Sequence, residues 1–335
     1  MEWYYILIIA VATAVVFLAL LSAIIALVVN KFAFGHRQDK NPAFRYFTPE
    51  DFNLMVEHMP VHYRGVELAA NIYTVKPVEE CERVVIFQHG FGAGSSSYMT
   101  EIAHFAKQGF AVVAVDAYGC NNSAGKKVIG FYAGAEAVIA AYMGVNCDER
   151  LKNKKIILVG HSWGAYSVLA ACGSVKADGV VAMSGFNAPA QCLCDTLKSM
   201  GGLGKFYAPL LHGWFWLFNF FKFGAKGNTK SAKAVKKSGV KMLIIHGEKD
   251  GAVSLKNSAA NKVAGENVTT IMLPEKRHNP YNTVAAEDKL AELTGPHKFE
   301  SEAQAQEYFK NFDWKAVTEE DEEVMSKIDA FIESV

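Results

Sequence analysis

Net charge is what this sequence most plainly lacks: 34 Lys and Arg stand against 34 Asp and Glu over 335 residues. Such a balance leaves no electrostatic footprint for a nucleic-acid partner. The six cysteines, at 81, 120, 147, 172, 192 and 194, form no Cys-x-x-Cys pair. Cys192 and Cys194 are too close for an ordinary zinc site and have no nearby histidine partner. Free thiols in a reducing compartment are the simplest reading. No His-x-x-x-His spacing or carboxylate cluster suggests a metal. No Gly-x-Gly-x-x-Gly follows the first strands, so no nucleotide cofactor is expected either. Internal repeats and low-complexity tracts are also missing.

Apolar sequence is abundant. Hydrophobic residues make up 51% of the chain and charged residues 20%, enough for a large core. The length suits an α/β fold with additions. Residues 4–29 carry no charge and are rich in Ile, Val, Leu and Ala. Such a run is long enough to cross a bilayer as a helix. A cleaved signal peptide would need a basic start, and Met-Glu-Trp-Tyr-Tyr has none. Trp3, Tyr4 and Tyr5 suit an interface. Lys31, Arg37 and Lys40 follow the run and Glu2 precedes it, which predicts a single-pass membrane anchor (residues 1–30) with the catalytic domain in the cytoplasm. Residues 31–50 read as a polar linker.

From residue 51 onwards, apolar strand-like runs alternate with helical stretches. The runs 83–88, 110–115, 156–159, 179–184, 240–246 and 268–273 lack the polar alternation of a half-exposed strand. That pattern predicts a mainly parallel sheet with helices on both faces. Two earlier segments, 52–58 and 66–75, read as strands joined by a turn near Arg64-Gly65.

The pattern breaks at residues 186–238, which predict a helical insertion. It carries a dense set of aromatics between 206 and 223, Trp214 and Phe215 among them, with lysines around and after them. The expected role is a cap over the site, touching acyl chains or the membrane interface. Trp214 and Phe215, together with His161, are the candidate substrate contacts. The segment 299–335 reads as an acidic, solvated helical tail outside the catalytic domain (51–298).

The organising motif is Gly160-His161-Ser162-Trp163-Gly164. A buried apolar run precedes it and a small-residue helix follows. Strand, Gly-x-Ser-x-Gly, helix is the setting of a nucleophile elbow. An acyl-transfer serine needs a base, and the base needs an orienting carboxylate. Asp250 follows the run ending at His246, and His278 follows the run ending at Leu273, both at strand ends.

The order Ser162, Asp250, His278 resembles the α/β-hydrolase superfamily, especially its branch of monoacylglycerol lipases and serine aminopeptidase-like hydrolases. The resemblance covers roughly residues 50–295. It implies Ser162 as nucleophile, His278 as general base and acid, and Asp250 as the orienting carboxylate. It also implies oxyanion donors at the main-chain N–H groups of Phe91, in His89-Gly90-Phe91-Gly92, and of Trp163. Asp116-Ala-Tyr-Gly-Cys-Asn-Asn-Ser123 resembles the family's Asp-x-x-Gly-x-Gly-x-Ser loop but has Asn121 at the second glycine. His246 is expected in the core, His89 as a brace for its loop, and Glu248 as a neighbour able to replace Asp250.

The expected protein is therefore a membrane-anchored serine hydrolase of lipid-like carboxylic esters, with no cofactor or metal and no nucleic-acid partner. A peptidase or amidase remains open, because one triad serves both reactions. So does a non-catalytic acyl-binding protein on the same fold.

Overall fold

A computed structural model of the chain describes residues 2–92, 94–202 and 204–335. Met1, Ala93 of the glycine-rich loop and Leu203 of the insertion lie outside the described residues.

The chain opens with helix α1 (Trp3–Phe34). It is long and apolar enough to cross a membrane by length and composition. Residues 3–21 of it are exposed, whereas Ala26, Asn30 and Phe34 are buried against the rest of the chain.

Among the described residues ten strands follow: β1 (Met55–His58), β2 (Val61–Tyr63), β3 (Val66–Leu68), β4 (Ala70–Thr74), β5 (Arg83–Gln88), β6 (Ala111–Val115), β7 (Lys155–His161), β8 (Gly179–Met183), β9 (Lys241–Gly247) and β10 (Val268–Leu273). Eight form one sheet in the order β1-β4-β6-β5-β7-β8-β9-β10. Every pairing from β6 to β10 is parallel, and β1 and β4 add antiparallel strands at one edge. The segment 66–75, read as one strand, divides into two. Val66–Leu68 pairs with Val61–Tyr63 in a separate hairpin, and Ala70–Thr74 joins the main sheet. Arg64 and Gly65 both adopt positive φ (49° and 78°) between them, the backbone of a tight hairpin turn.

The central strands are apolar on both sides because both sides are covered. Along β5, Val84 and Ile86 belong to one hydrophobic cluster and Val85 and Phe87 to another. On the first face lie α3 (Tyr132–Cys147) and α4 (Trp163–Ala171). The second face is covered by α2 (Met99–Lys107) and by the end of the chain.

The insertion contains α5 (Pro189–Ser199), α6 (Gly204–Phe223) and α7 (Ser231–Ser238). After it come the short α8 (Ala259–Lys262), α9 (Val284–Thr294), α10 (Glu302–Asn311) and α11 (Glu322–Glu333).

Two sequence readings are corrected here. The tail is solvated only in part: α10 buries no residue, but Val324, Met325, Ile328 and Ile332 of α11 are buried in the second core cluster. Its acidic start caps that helix, with Asp321 accepting from the N–H groups of Glu323 and Val324 and pairing with the buried Lys276 at 2.6 Å. Residues 31–50 do not form an independent linker either. Gln38 exchanges main-chain bonds with Gly119 and Asn121, and Arg37 donates to the carbonyls of Asn121, Ser123 and Gly125. Phe44 then packs on Trp314, Val317 and Leu293.

Candidate active site

The site lies beyond the C-terminal ends of β5, β7, β9 and β10. Ser162 sits between β7 and α4 with φ 56° and ψ −116°, a strained conformation for a non-glycine residue. The flanking glycines permit the turn. A Cβ on Gly160 would collide with the main chain of Gly164, and one on Gly164 with the carbonyl of Gln88. The turn raises the Ser162 hydroxyl at the N-terminus of α4, where the helix dipole favours negative charge.

Asp250 follows β9 and His278 follows β10, as their places in the sequence predict. His278 Nδ1 lies 2.9 Å from Asp250 Oδ2, and His278 Nε2 lies 2.9 Å from Ser162 Oγ. A carboxylate only accepts, so Nδ1 carries the proton and Nε2 is left to accept from the serine. Asp250 Oδ1 accepts from the N–H groups of Ala252 and Val253 at 2.8 and 2.9 Å. Burial acts to raise the Asp250 carboxyl, but its bonds to His278 and Val253 outweigh this and hold it below the usual range. Glu248 is exposed and is not brought to His278. His246 is buried on β9, with Nε2 3.3 Å from Asp250 Oδ2 but outside hydrogen-bond geometry.

Phe91 and Trp163 are brought together, with ring centroids 5.4 Å apart. Their main-chain N–H groups have no acceptor among the described residues. His89 donates from Nδ1 to the carbonyl of Gly90 and accepts at Nε2 from Ala117, so it braces this loop. Asp116 holds the facing loop by accepting from Ser95 and Asn122. Asn121, where the resemblance expects a second glycine, has φ 43°, a region that glycine favours and asparagine tolerates.

Sequence reasoning missed a directed chain of hydrogen bonds behind the serine. Gly90 N–H donates to Tyr98 Oη at 3.0 Å. The Tyr98 hydroxyl lies 2.8 Å from His161 Nδ1, and His161 Nε2 lies 2.8 Å from the His278 carbonyl. A carbonyl cannot donate, so Nε2 carries the His161 proton and Tyr98 donates to Nδ1. Burial, reinforced by the nearby His278, drives the His161 imidazole down to about 3, so it stays neutral. His161 thus ties the glycine-rich loop to the loop carrying the base. Only its position inside the elbow signalled a role.

A cavity of about 430 Å³ opens above Ser162. Its walls include Phe44, Phe47, Met99, Leu290, Leu293 and Trp314. His161 lines it, but Trp214 and Phe215 do not. Trp214 donates to Ser22 of α1 at 2.9 Å, and Phe215 is fully buried in the core. The insertion is therefore turned towards α1. The roof that it was expected to supply comes from residues 44–47 and from Trp314, Val317 and Thr318 of the tail. Aromatic density in the sequence marked apolar surface needing cover, not the element that would cover the site.

A family model described as the alpha/beta hydrolase fold matches residues 83–215. Among solved structures, an esterase from Pyrococcus furiosus is 19% identical, and the match spans 82% of this chain and 99% of the esterase, with a TM-score of 0.57. An acylaminoacyl peptidase from Pyrococcus horikoshii is 15% identical, and the match spans 77% of this chain and 44% of the peptidase, with a TM-score of 0.51. No curated protein matches the sequence. The chain has the α/β-hydrolase fold, with a mostly parallel sheet, flanking helices and an apolar N-terminal helix.

Proposed function

We propose that this protein is a serine hydrolase cleaving carboxylic esters of lipid-like acyl substrates through an acyl-enzyme on Ser162. The carrying observation is the unbroken contact from Ser162 Oγ through His278 to Asp250, two steps of 2.9 Å, beneath an apolar cavity. In this reading Ser162 Oγ attacks the ester carbonyl carbon while its proton passes to His278 Nε2. Asp250 holds the imidazole in the required tautomer and stabilises the imidazolium. The N–H groups of Phe91 and Trp163 donate to the oxyanion, and removal of one such donor costs about 3 kcal/mol in other enzymes. Collapse expels the alcohol, which takes the proton from His278. Water then attacks the acyl-enzyme, giving its proton to His278. The carboxylic acid leaves and Ser162 recovers its proton.

The acyl preference is supported by the cavity walls and by the end of α1. Phe34, the last residue of α1, lies edge-on to Phe91 with ring centroids 5.8 Å apart. If α1 is a membrane anchor, the site lies near the bilayer surface, where acyl chains are found. Lys31, Arg37 and Lys40 favour a cytoplasmic catalytic domain. The reading follows the resemblance to the monoacylglycerol lipase branch.

A peptidase of the serine aminopeptidase type is the second reading, and Glu101 favours it. Its carboxyl is buried and lines the cavity. A substrate amine would pair with it.

The test is hydrolysis of p-nitrophenyl esters from acetyl to palmitoyl beside aminoacyl p-nitroanilides. It uses the full chain, because Ala26, Asn30 and Phe34 are buried against the domain. Ester turnover rising with chain length and abolished in Ser162→Ala is the expected result. Turnover of the anilides alone would select the peptidase. Acyl binding that survives Ser162→Ala, with no turnover by the parent, would replace both readings with a non-catalytic one.

A further inference from the structure

We propose that the α5–α6 hairpin is a second membrane element, lying in the headgroup region of an anionic leaflet beside α1. Three observations carry this inference, and it is independent of the reaction at Ser162.

The first is alignment. Trp214 Nε1 donates to Ser22 Oγ at 2.9 Å, and Lys222 Nζ donates to Asn30 Oδ1 at 2.8 Å. The spacing is the same on both helices, from 22 to 30 and from 214 to 222. The two helices therefore run side by side in the same direction. Residues 3–21 of α1 are exposed, and at 1.5 Å per residue they reach about 28 Å, close to the hydrocarbon thickness of a bilayer. With those residues in the hydrocarbon, Ser22 marks the interface. Residues 12–21 of α1 stay exposed, so the first half of α6 does not lie along them but parts from α1 at Trp214, at the level of the interface.

The second is the unpartnered face of α6. Ala208, Leu211, Phe215 and Asn219 form its buried stripe, spaced as one side of a helix. Phe206 and Phe221 are 77% and 75% exposed, with Leu210 and Trp216 also exposed between them. None of these four lines the cavity above Ser162. Pro209 and Gly213 within α6, and Lys205 near its start, suit interfacial depth better than a full crossing.

The third is charge. Residues 196–247 hold nine lysines and no Asp or Glu, in a chain whose charges balance only as a whole. Of these, Lys198, Lys205, Lys222 and Lys226 lie within or directly after the hairpin, and lysines so placed match anionic lipid headgroups.

The test places single labels on the full chain in vesicles of phosphatidylcholine and phosphatidylglycerol. Phe206→Cys and Phe221→Cys carry an environment-sensitive fluorophore in a Cys147→Ser background, which removes the exposed native thiol. The background chain corrects for labelling at Cys192. Glu149→Cys, on an exposed loop, and Val16→Cys, in α1, are the references, and circular dichroism checks each fold. The expected result is blue-shifted emission at 206 and 221, quenched by lipid doxylated near the headgroup, with no quenching at 149. Labels at 206 and 221 that behave like 149, while 16 is quenched, would overturn the proposal. A label at 16 that lipid doxylated deep in the acyl chain does not quench would overturn it too, by removing α1 from the bilayer. Quenching no stronger with phosphatidylglycerol than without it would overturn the anionic preference.

Discussion

Tyr98→Phe removes one oxygen from the chain of contacts behind the nucleophile. The ring stays, so the packing of Tyr98 against Phe87 is kept. Two buried groups lose their partner, the Gly90 N–H and His161 Nδ1. Tyr98 and His161 are nearly inaccessible, so water does not replace the hydroxyl. Orphaning a buried polar group costs roughly 1–3 kcal/mol, and relief of the phenol's own burial offsets part of the pair. The net loss should be on the order of 2 kcal/mol. For a chain of this size that is about a 3 °C fall in Tm. The catalytic effect should be separate. Gly90 precedes Phe91, and His161 holds the carbonyl of His278, so both the oxyanion donor and the base lose a tether. A misplaced donor costs part of the hundredfold or more that its removal costs, so kcat should fall about tenfold with KM little changed. Ester hydrolysis and thermal unfolding of the full chain measure the two effects. A Tm and a kcat both equal to the parent's would refute the coupling, and a lower Tm with unchanged kcat would reduce Tyr98 to a packing residue.

Asp250→Asn should leave the fold intact and lower kcat about 10⁴-fold by favouring the wrong His278 tautomer, measured as ester turnover beside an unchanged circular dichroism spectrum. Glu101 gives a pH signature. Burial, reinforced by nearby Glu320, raises its carboxyl to about 8 from an ordinary 4.5. Between those values the folded chain holds a proton that the unfolded chain has released. Its contribution to stability is therefore complete below pH 4.5 and lost as pH rises through 8. Glu101→Gln should match the parent's Tm at pH 5 and exceed it at pH 9; equal Tm values at pH 9 would contradict this. Trp314→Ala should open the roof shared with Phe44 and Phe312 and cost about 3 kcal/mol, shifting the preferred p-nitrophenyl ester towards longer chains.

How much was legible in the sequence depended on how local the controlling physics is. The elbow is set by the steric demands of a few adjacent residues, so Gly160, Ser162 and Gly164 announce it directly. Asp250 and His278 could be placed because each follows an apolar strand, and parallel strands deliver their ends to one edge of the sheet. The partners of that edge were not legible. Tyr98 and His161 are 63 residues apart, and their bond depends on how α2 meets the end of β7. The same limit explains the exchanged roles of insertion and tail. Residues 206–223 and 314–332 each carry an apolar stripe, and a stripe records only that something must cover it. Which surface does so follows from where the chain re-enters the sheet. The tail reaches the face already held by α2, where Ile328 and Ile332 meet the second core cluster. The path back from α11 then sets Trp314 over the cavity. The insertion leaves from the opposite face and meets α1, a helix whose burial partners no periodicity could name. The exposed aromatics of α6 are thus the residue of a packing problem that the folded chain alone does not solve.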